Sequence, residues 1–169
     1  MAFGPGGLAL EAWADSSLAN ADGGRSLGGW CIKVAGSGAL IAGASAPAAA
    51  AESSGVAELH QIVLTVKAVL GARIFMRELN VAPTGPTPLR TDAQVVVDAV
   101  KSLRVSPESK WVAPRYAMVR KAVSDGAVTI EKVDTRDNCA DIFTKPLVGA
   151  VFLAHRATVL GLRETFPPG

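Results

Sequence analysis

Cysteine and histidine are scarce in this chain: Cys31, Cys139, His60 and His155 are all it has. No C-x-x-C pair occurs and neither histidine has a second ligand at metal spacing, which excludes zinc ribbons and fingers. The two cysteines are expected as buried free thiols of a reducing compartment. An excess of one charge is also lacking. The formal net charge is +2, too small to imply nucleic acid by itself, so a basic surface must come from local clustering. Long apolar runs are missing too. The most apolar stretch, 38–51, is broken by Pro47 and is too short to cross a bilayer. The first residues, M-A-F-G-P-G-G, lack the basic start and apolar centre of a signal peptide. No G-x-G-x-x-G follows a predicted strand and there is no P-loop, which removes the usual nucleotide cradles.

What is present suits one domain with a core: 169 residues, 49% hydrophobic and 19% charged. Residues 1–7 read as a Gly/Pro leader of the kind a linker in a longer polyprotein leaves. Strands are predicted over 8–14, 29–35 and 39–46, with turns at 20–25 (N-A-D-G-G-R) and 36–38, giving an antiparallel meander. Ser53 and Ser54 are N-cap candidates. Val56, Leu59, Ile62, Val63, Val66, Val69 and Leu70 then recur at helical spacing as far as about Leu79. A Pro/Gly loop over 80–88 leads to a strand at 89–91. Helices follow at 94–103 and 114–124, then a strand at 127–133, a short helix at 138–145 stopped by Pro146, and a last amphipathic helix at 148–162. The expected organisation is a leader (1–7), a main domain (8–147), a C-terminal helix (148–162) and a tail (163–169). This order predicts an α/β fold, a five-stranded mixed sheet with helices on both faces. It excludes a doubly wound dinucleotide fold, because no helices separate the first three strands.

Four acids stand where the chain changes element: Asp15 in a strand, Glu58 in the first turns of the long helix, Asp92 at the end of a strand and Asp141 at a helix start. Gathered carboxylates repel one another and need a cation to be tolerated. Oxygen-only ligands suit magnesium or manganese, and two such ions side by side drive in-line cleavage of phosphodiesters. The competing reading is ordinary: helix caps and solvated charges, with Asp92 and Asp141 as caps.

The same residues carry a family likeness. W-A-D-S-S-L-A, R-S-L-G-G-W, E-S-S-G-V-A-E-L, L-R-T-D-A-Q-V-V, K-W-V-A-P-R-Y-A-M-V-R and D-N-C-A-D-I-F-T-K-P-L appear in that order. Over roughly Leu8 to Leu162 the chain resembles the ribonuclease H domain of copia-type LTR retrotransposon polyproteins, and A-D-I-F-T-K-P-L is the most specific block. The resemblance implies a ribonuclease H-like fold and a nuclease that cuts the RNA strand of RNA–DNA hybrids. It implies two Mg2+ ions, with Mn2+ as a substitute, on Asp15, Glu58, Asp92 and Asp141. It also implies a reverse transcriptase domain as partner, and a cytoplasmic, nuclear or virus-like-particle location. The chain departs from the family at Ser17, where a second Asp is usual, and at Trp111 and Ala117, where histidines are usual. These departures favour the alternative of a weakened hybrid-binding or structural relic domain.

The remaining candidates concern substrate. Lys101, Arg104, Lys110, Arg115, Arg120 and Lys121 cluster between the two middle helices, a possible phosphate track with Trp111 packed on a sugar or base. A solvated basic face with Trp111 in the core is the competing reading. Ser16 and Ser17 are candidates for contact with 2′-hydroxyls, with simple turn residues as the alternative. The loop before Asp141, V-D-T-R-D-N, has no histidine. Asp137 is a candidate helper there or simply a helix-start acid. His60 and His155 are expected to be structural.

Overall fold

The computed structural model describes residues 8–21, 25–46, 53–102 and 112–162. In chain order the elements are β1 (Leu10–Ala21), β2 (Arg25–Val34), β3 (Ala39–Ser45), α1 (Ser54–Glu78), β4 (Thr87–Thr91), α2 (Gln94–Lys101), α3 (Ala113–Ser124), β5 (Val128–Lys132), two 3-10 turns (Thr135–Asp137 and Cys139–Phe143) and α4 (Gly149–Leu160). The strands form one sheet in the order β3-β2-β1-β4-β5. β1 pairs antiparallel with β2, and β2 with β3, while β4 runs parallel to β1 and β5 parallel to β4. The expected α/β fold with a five-stranded mixed sheet is the fold observed.

Side-chain alternation along the strands divides the interior. Leu10, Ala12, Ala14 and Ile32 join the main core with Leu59, Ile62, Val66 and Val69 of α1, Val96 and Val97 of α2, and Val119 of α3. Trp13 and Cys31 fall on the opposite face, where they pack with Cys139 and Ala140 of the second 3-10 turn. Helical structure therefore covers both faces, with α1–α3 on one and the 3-10 turn, followed by α4, on the other. The Ser53 hydroxyl accepts from the Val56 N–H at 3.3 Å and caps α1. By length and composition α1 is apolar enough to cross a membrane, but its apolar face is buried on the sheet, as befits a core helix. At the other end, Gly161 closes α4 with φ +66°. A Cβ there would collide with the Gly38 backbone nitrogen, so only glycine fits.

Two sequence expectations are corrected. The first strand was expected to stop at residue 14, with a turn from residue 20, yet β1 continues to Ala21. Asp15, Ser16 and Ser17 pair with Gly29, Gly28 and Leu27 of β2, and β2 starts at Arg25, not at residue 29. The ladder bonds outweigh the turn preference of the local composition. Ser16 and Ser17 are therefore strand residues and not turn residues. The helix expected over 138–145 is instead a single 3-10 turn, Cys139–Phe143. Asn138 accepts from the Ala140 N–H and Thr144 bonds back to the Asp141 carbonyl, local side-chain bonds that compete with an α-helical ladder. The leader (1–7), the tail (163–169) and the end of the second predicted helix at residue 103 lie outside the described residues.

Candidate metal centre

Sheet register places two of the acids side by side. Ala12 pairs with Leu89 and Trp13 with Arg90 across parallel β1 and β4, and the same offset continued brings Asp15 alongside Asp92. The second 3-10 turn supplies Asp141 from the face that holds Trp13. One carboxylate oxygen from each of Asp15, Asp92 and Asp141 lies within 4.8 Å of the others. Asp15 and Asp141 are buried and Asp92 is half-buried. Glu58, in the first turns of α1, stands beyond this group of three but feels it: burial first, then Asp92 and Asp15, raises its pKa above the ordinary carboxyl value.

Neither Asp92 nor Asp141 acts as a cap. Ala93 is the N-cap of α2 and no side chain caps that end. The Asp92 carboxylate accepts from the Thr135 hydroxyl at 2.9 Å and from the Asn138 amide at 3.4 Å. The same Asn138 amide donates to the Ala14 carbonyl at 3.0 Å and so fixes the turn to β1 beside Asp15. The Thr144 hydroxyl donates to Asp15 Oδ2. Lys145 Nζ lies 3.0 Å from Asp141 Oδ1 and 3.5 Å from Asp15 Oδ2, a single ammonium shared by two buried carboxylates. Burial, and then the charge of Asp15, pushes the Asp141 pKa up to about 6 against the opposing pull of Lys145. Burial also works against the Lys145 ammonium, but Asp15 and Asp141 outweigh it and its pKa is raised.

The donor set fits hard divalent cations: it is all oxygen, close-set and too negative to be comfortable alone. Lys145, held between two of the acids, shows that positive charge belongs there. Asn138, Thr144 and Lys145 were not singled out as site residues from the sequence. The signals for them were their place in the block D-N-C-A-D-I-F-T-K-P-L and the i, i+4 spacing of Asp141 and Lys145.

The substrate candidates are scattered. Ser16 is half-buried and Ser17 is buried with its hydroxyl unpartnered, both on β1 next to Asp15. Lys101 is the exposed last residue of α2, and Arg115 sits in the first turn of α3. His60 on α1 has a pKa lowered by burial first and then by Arg115, so the start of α3 lies beside the start of α1. Arg120 is committed to α2, donating to the Ala99 and Ser102 carbonyl oxygens at 2.5 and 2.7 Å. Lys121 pairs with Asp125 at 3.0 Å. Arg104, Lys110 and Trp111 lie outside the described residues. Asp137 is exposed at the end of the first 3-10 turn, and His155 is buried in α4.

No family model matches the sequence. Solved structures do match. The chain is similar to ribonuclease H1 from Halobacterium salinarum NRC-1 at 16% identity and TM-score 0.60, over 80% of this chain and 93% of that one. It is similar to the N-terminal ribonuclease H domain of rv2228c from Mycobacterium tuberculosis at 16% identity and TM-score 0.60, over 88% and 96%. It is also similar to LC11-RNase H1, solved in complex with an RNA/DNA hybrid, at 14% identity and TM-score 0.60, over 80% and 93%. The chain has the ribonuclease H-like fold.

Proposed function

We propose that this chain hydrolyses the RNA strand of RNA–DNA hybrids, with two divalent cations at the acid cluster. The observation that carries this reading is the convergence of Asp15, Asp92 and Asp141 within 4.8 Å, on a fold that LC11-RNase H1 uses to hold a hybrid. Asp15, Asp92 and Asp141 would hold the cations, with Glu58 as a further carboxylate beside them. Divalent ions supply an attacking water of lowered pKa and stabilise charge on the leaving oxygen. Thr144 and Asn138 keep Asp15 and Asp92 aimed, and Lys145 balances the acids until a cation arrives. Ser16, half-buried on β1 beside the site, is placed where a 2′-hydroxyl would report RNA, whereas the Ser17 hydroxyl is too buried to reach one. Lys101 and Arg115 are the phosphate contacts this reading assigns among the described residues.

The order of the sequence blocks, A-D-I-F-T-K-P-L above all, supports a copia-type polyprotein as the source. Magnesium as the working ion, a reverse transcriptase domain as partner and a cytoplasmic, nuclear or particle-borne location follow from that origin and are part of the proposal. The fold also makes up 19% of a chain of the foamy viral protease-reverse transcriptase solved with an RNA/DNA hybrid, matched at 12% identity and TM-score 0.53 over 82% of this chain.

The test is a labelled hybrid offered with Mg2+, Mn2+ or EDTA, beside Asp92→Asn. The expected outcome is metal-dependent cutting of the RNA strand alone, reduced to background by Asp92→Asn. A folded protein that binds the hybrid in either metal without cutting it would refute the nuclease and leave the binding module.

A further inference from the structure

The smaller hydrophobic cluster holds both cysteines. Cys31 and Cys139 are 0% and 1% exposed, packed with Trp13 and Ala140 on the sheet face opposite α1. Both are free thiols, and they belong to one packed cluster of buried side chains. The backbones that carry them are in close contact one step away. A Cβ on Gly29 of β2 would meet Phe143 Cβ at 2.7 Å and the Ala140 carbonyl oxygen at 2.9 Å. This approach holds two segments far apart in sequence directly against each other, the closeness that a disulfide between them would need. The placement relative to the acids is symmetrical. Cys31 pairs with Trp13 in the ladder while Asp15, two residues on, pairs with Gly29. Cys139 precedes Asp141 by two residues.

We propose that Cys31 and Cys139 are a redox-sensitive staple: on oxidation they form an intramolecular disulfide that ties the Asp141-bearing turn to β2. A low-molecular-weight disulfide is the oxidant. One cysteine thiolate attacks it, leaving a mixed disulfide on the protein and releasing one small thiol. The second thiolate then attacks the protein sulfur of that mixed disulfide and releases the second small thiol. The protein loses two hydrogens and the oxidant becomes two thiols. Burial makes the first attack slow, because the 3-10 turn must open locally before a sulfur is accessible. Once closed, the link spans residues 31–139, a long loop whose closure restricts the unfolded chain strongly. This proposal does not depend on the nuclease reading.

The whole chain is incubated with oxidised glutathione, denatured without reductant, alkylated and mapped by mass spectrometry, with a melting curve taken in parallel. The expected product is a monomer in which both thiols disappear together, one peptide pair joins Cys31 to Cys139, and Tm rises by about 10 °C, reversed by dithiothreitol. Cys31→Ser or Cys31→Ala leaves Cys139 without an internal partner and abolishes the shift. Glutathione retained on separate cysteines, dimers linked through either cysteine, or two thiols still open to alkylation after oxidation would each overturn the staple.

Discussion

The acid cluster is set by individual contacts, and the sharpest expectations concern Asp141 and Lys145. The folded Asp141 pKa of about 6 exceeds its ordinary 3.8, so the folded state holds a proton that the unfolded chain has released. Without metal, stability falls as pH rises from about 4 through about 6, by on the order of 3 kcal/mol. Asp141→Asn removes this slope. Urea melts in EDTA should find the variant more stable than the wild type at pH 8 and equal to it near pH 4, and saturating Mn2+ should reverse the order at pH 8. Lys145→Ala leaves Asp15 and Asp141 facing each other without a counter-charge. It should cost about 2 kcal/mol in EDTA and enlarge the thermal shift that Mn2+ produces. An unchanged melt in EDTA would mean that the ammonium contributes nothing there. At this scale the sequence singled out the three acids that converge, Asp15, Asp92 and Asp141, because each sits in its own short motif, and Glu58, which stands beyond them. It did not single out Asn138 or Thr144, whose value lies in reaching Asp92 and Asp15 across the fold.

At the scale of elements, strong periodicity was readable and local exceptions were not. The seven apolar positions from Val56 to Leu70 announced α1, and Ser53 marked its start. The composition of N-A-D-G-G-R concealed the far end of β1, since ladder partners on β2 are invisible in the local sequence. The turn that carries Asp141 looked helical, although its bonds are of the 3-10 kind. Its position depends on the bare glycine beneath it. A Cβ at Gly29 would press on Phe143 Cβ and on the Ala140 carbonyl oxygen, neither the free end of a flexible chain. Gly29→Ala should therefore lift the turn away from β2, cost about 1–3 kcal/mol and weaken Mn2+ binding measured by calorimetry. Gly28→Ala is the comparison. Its Cβ would meet the Gln61 side chain on the other face, so it should lower stability while sparing affinity per folded molecule.

Across the whole molecule, a net charge of +2 gives no general attraction to nucleic acid, so the proposed hybrid binding requires a few placed cations. Among the described residues, the structure divides the predicted basic set. Lys101 and Arg115 stand free of carboxylate partners. Arg120 stabilises the end of α2 through the Ala99 and Ser102 carbonyl oxygens, and also stacks over Tyr116. This division was not visible in the spacing of the Lys and Arg residues, because it depends on how α3 crosses α2. Each phosphate contact releases counterions and adds about 0.9 to the slope of log affinity against log salt for duplex DNA. Fluorescence anisotropy with a labelled hybrid in Ca2+ should show Lys101→Ala and Arg115→Ala each weakening binding and flattening the slope by about one. Arg120→Ala should instead lower Tm, with the slope intact, because its charge is spent on the helix end. If all three variants flatten the slope equally, Arg120 reaches phosphate as well as α2. If Lys101→Ala and Arg115→Ala leave it untouched, the hybrid binds another face of the sheet.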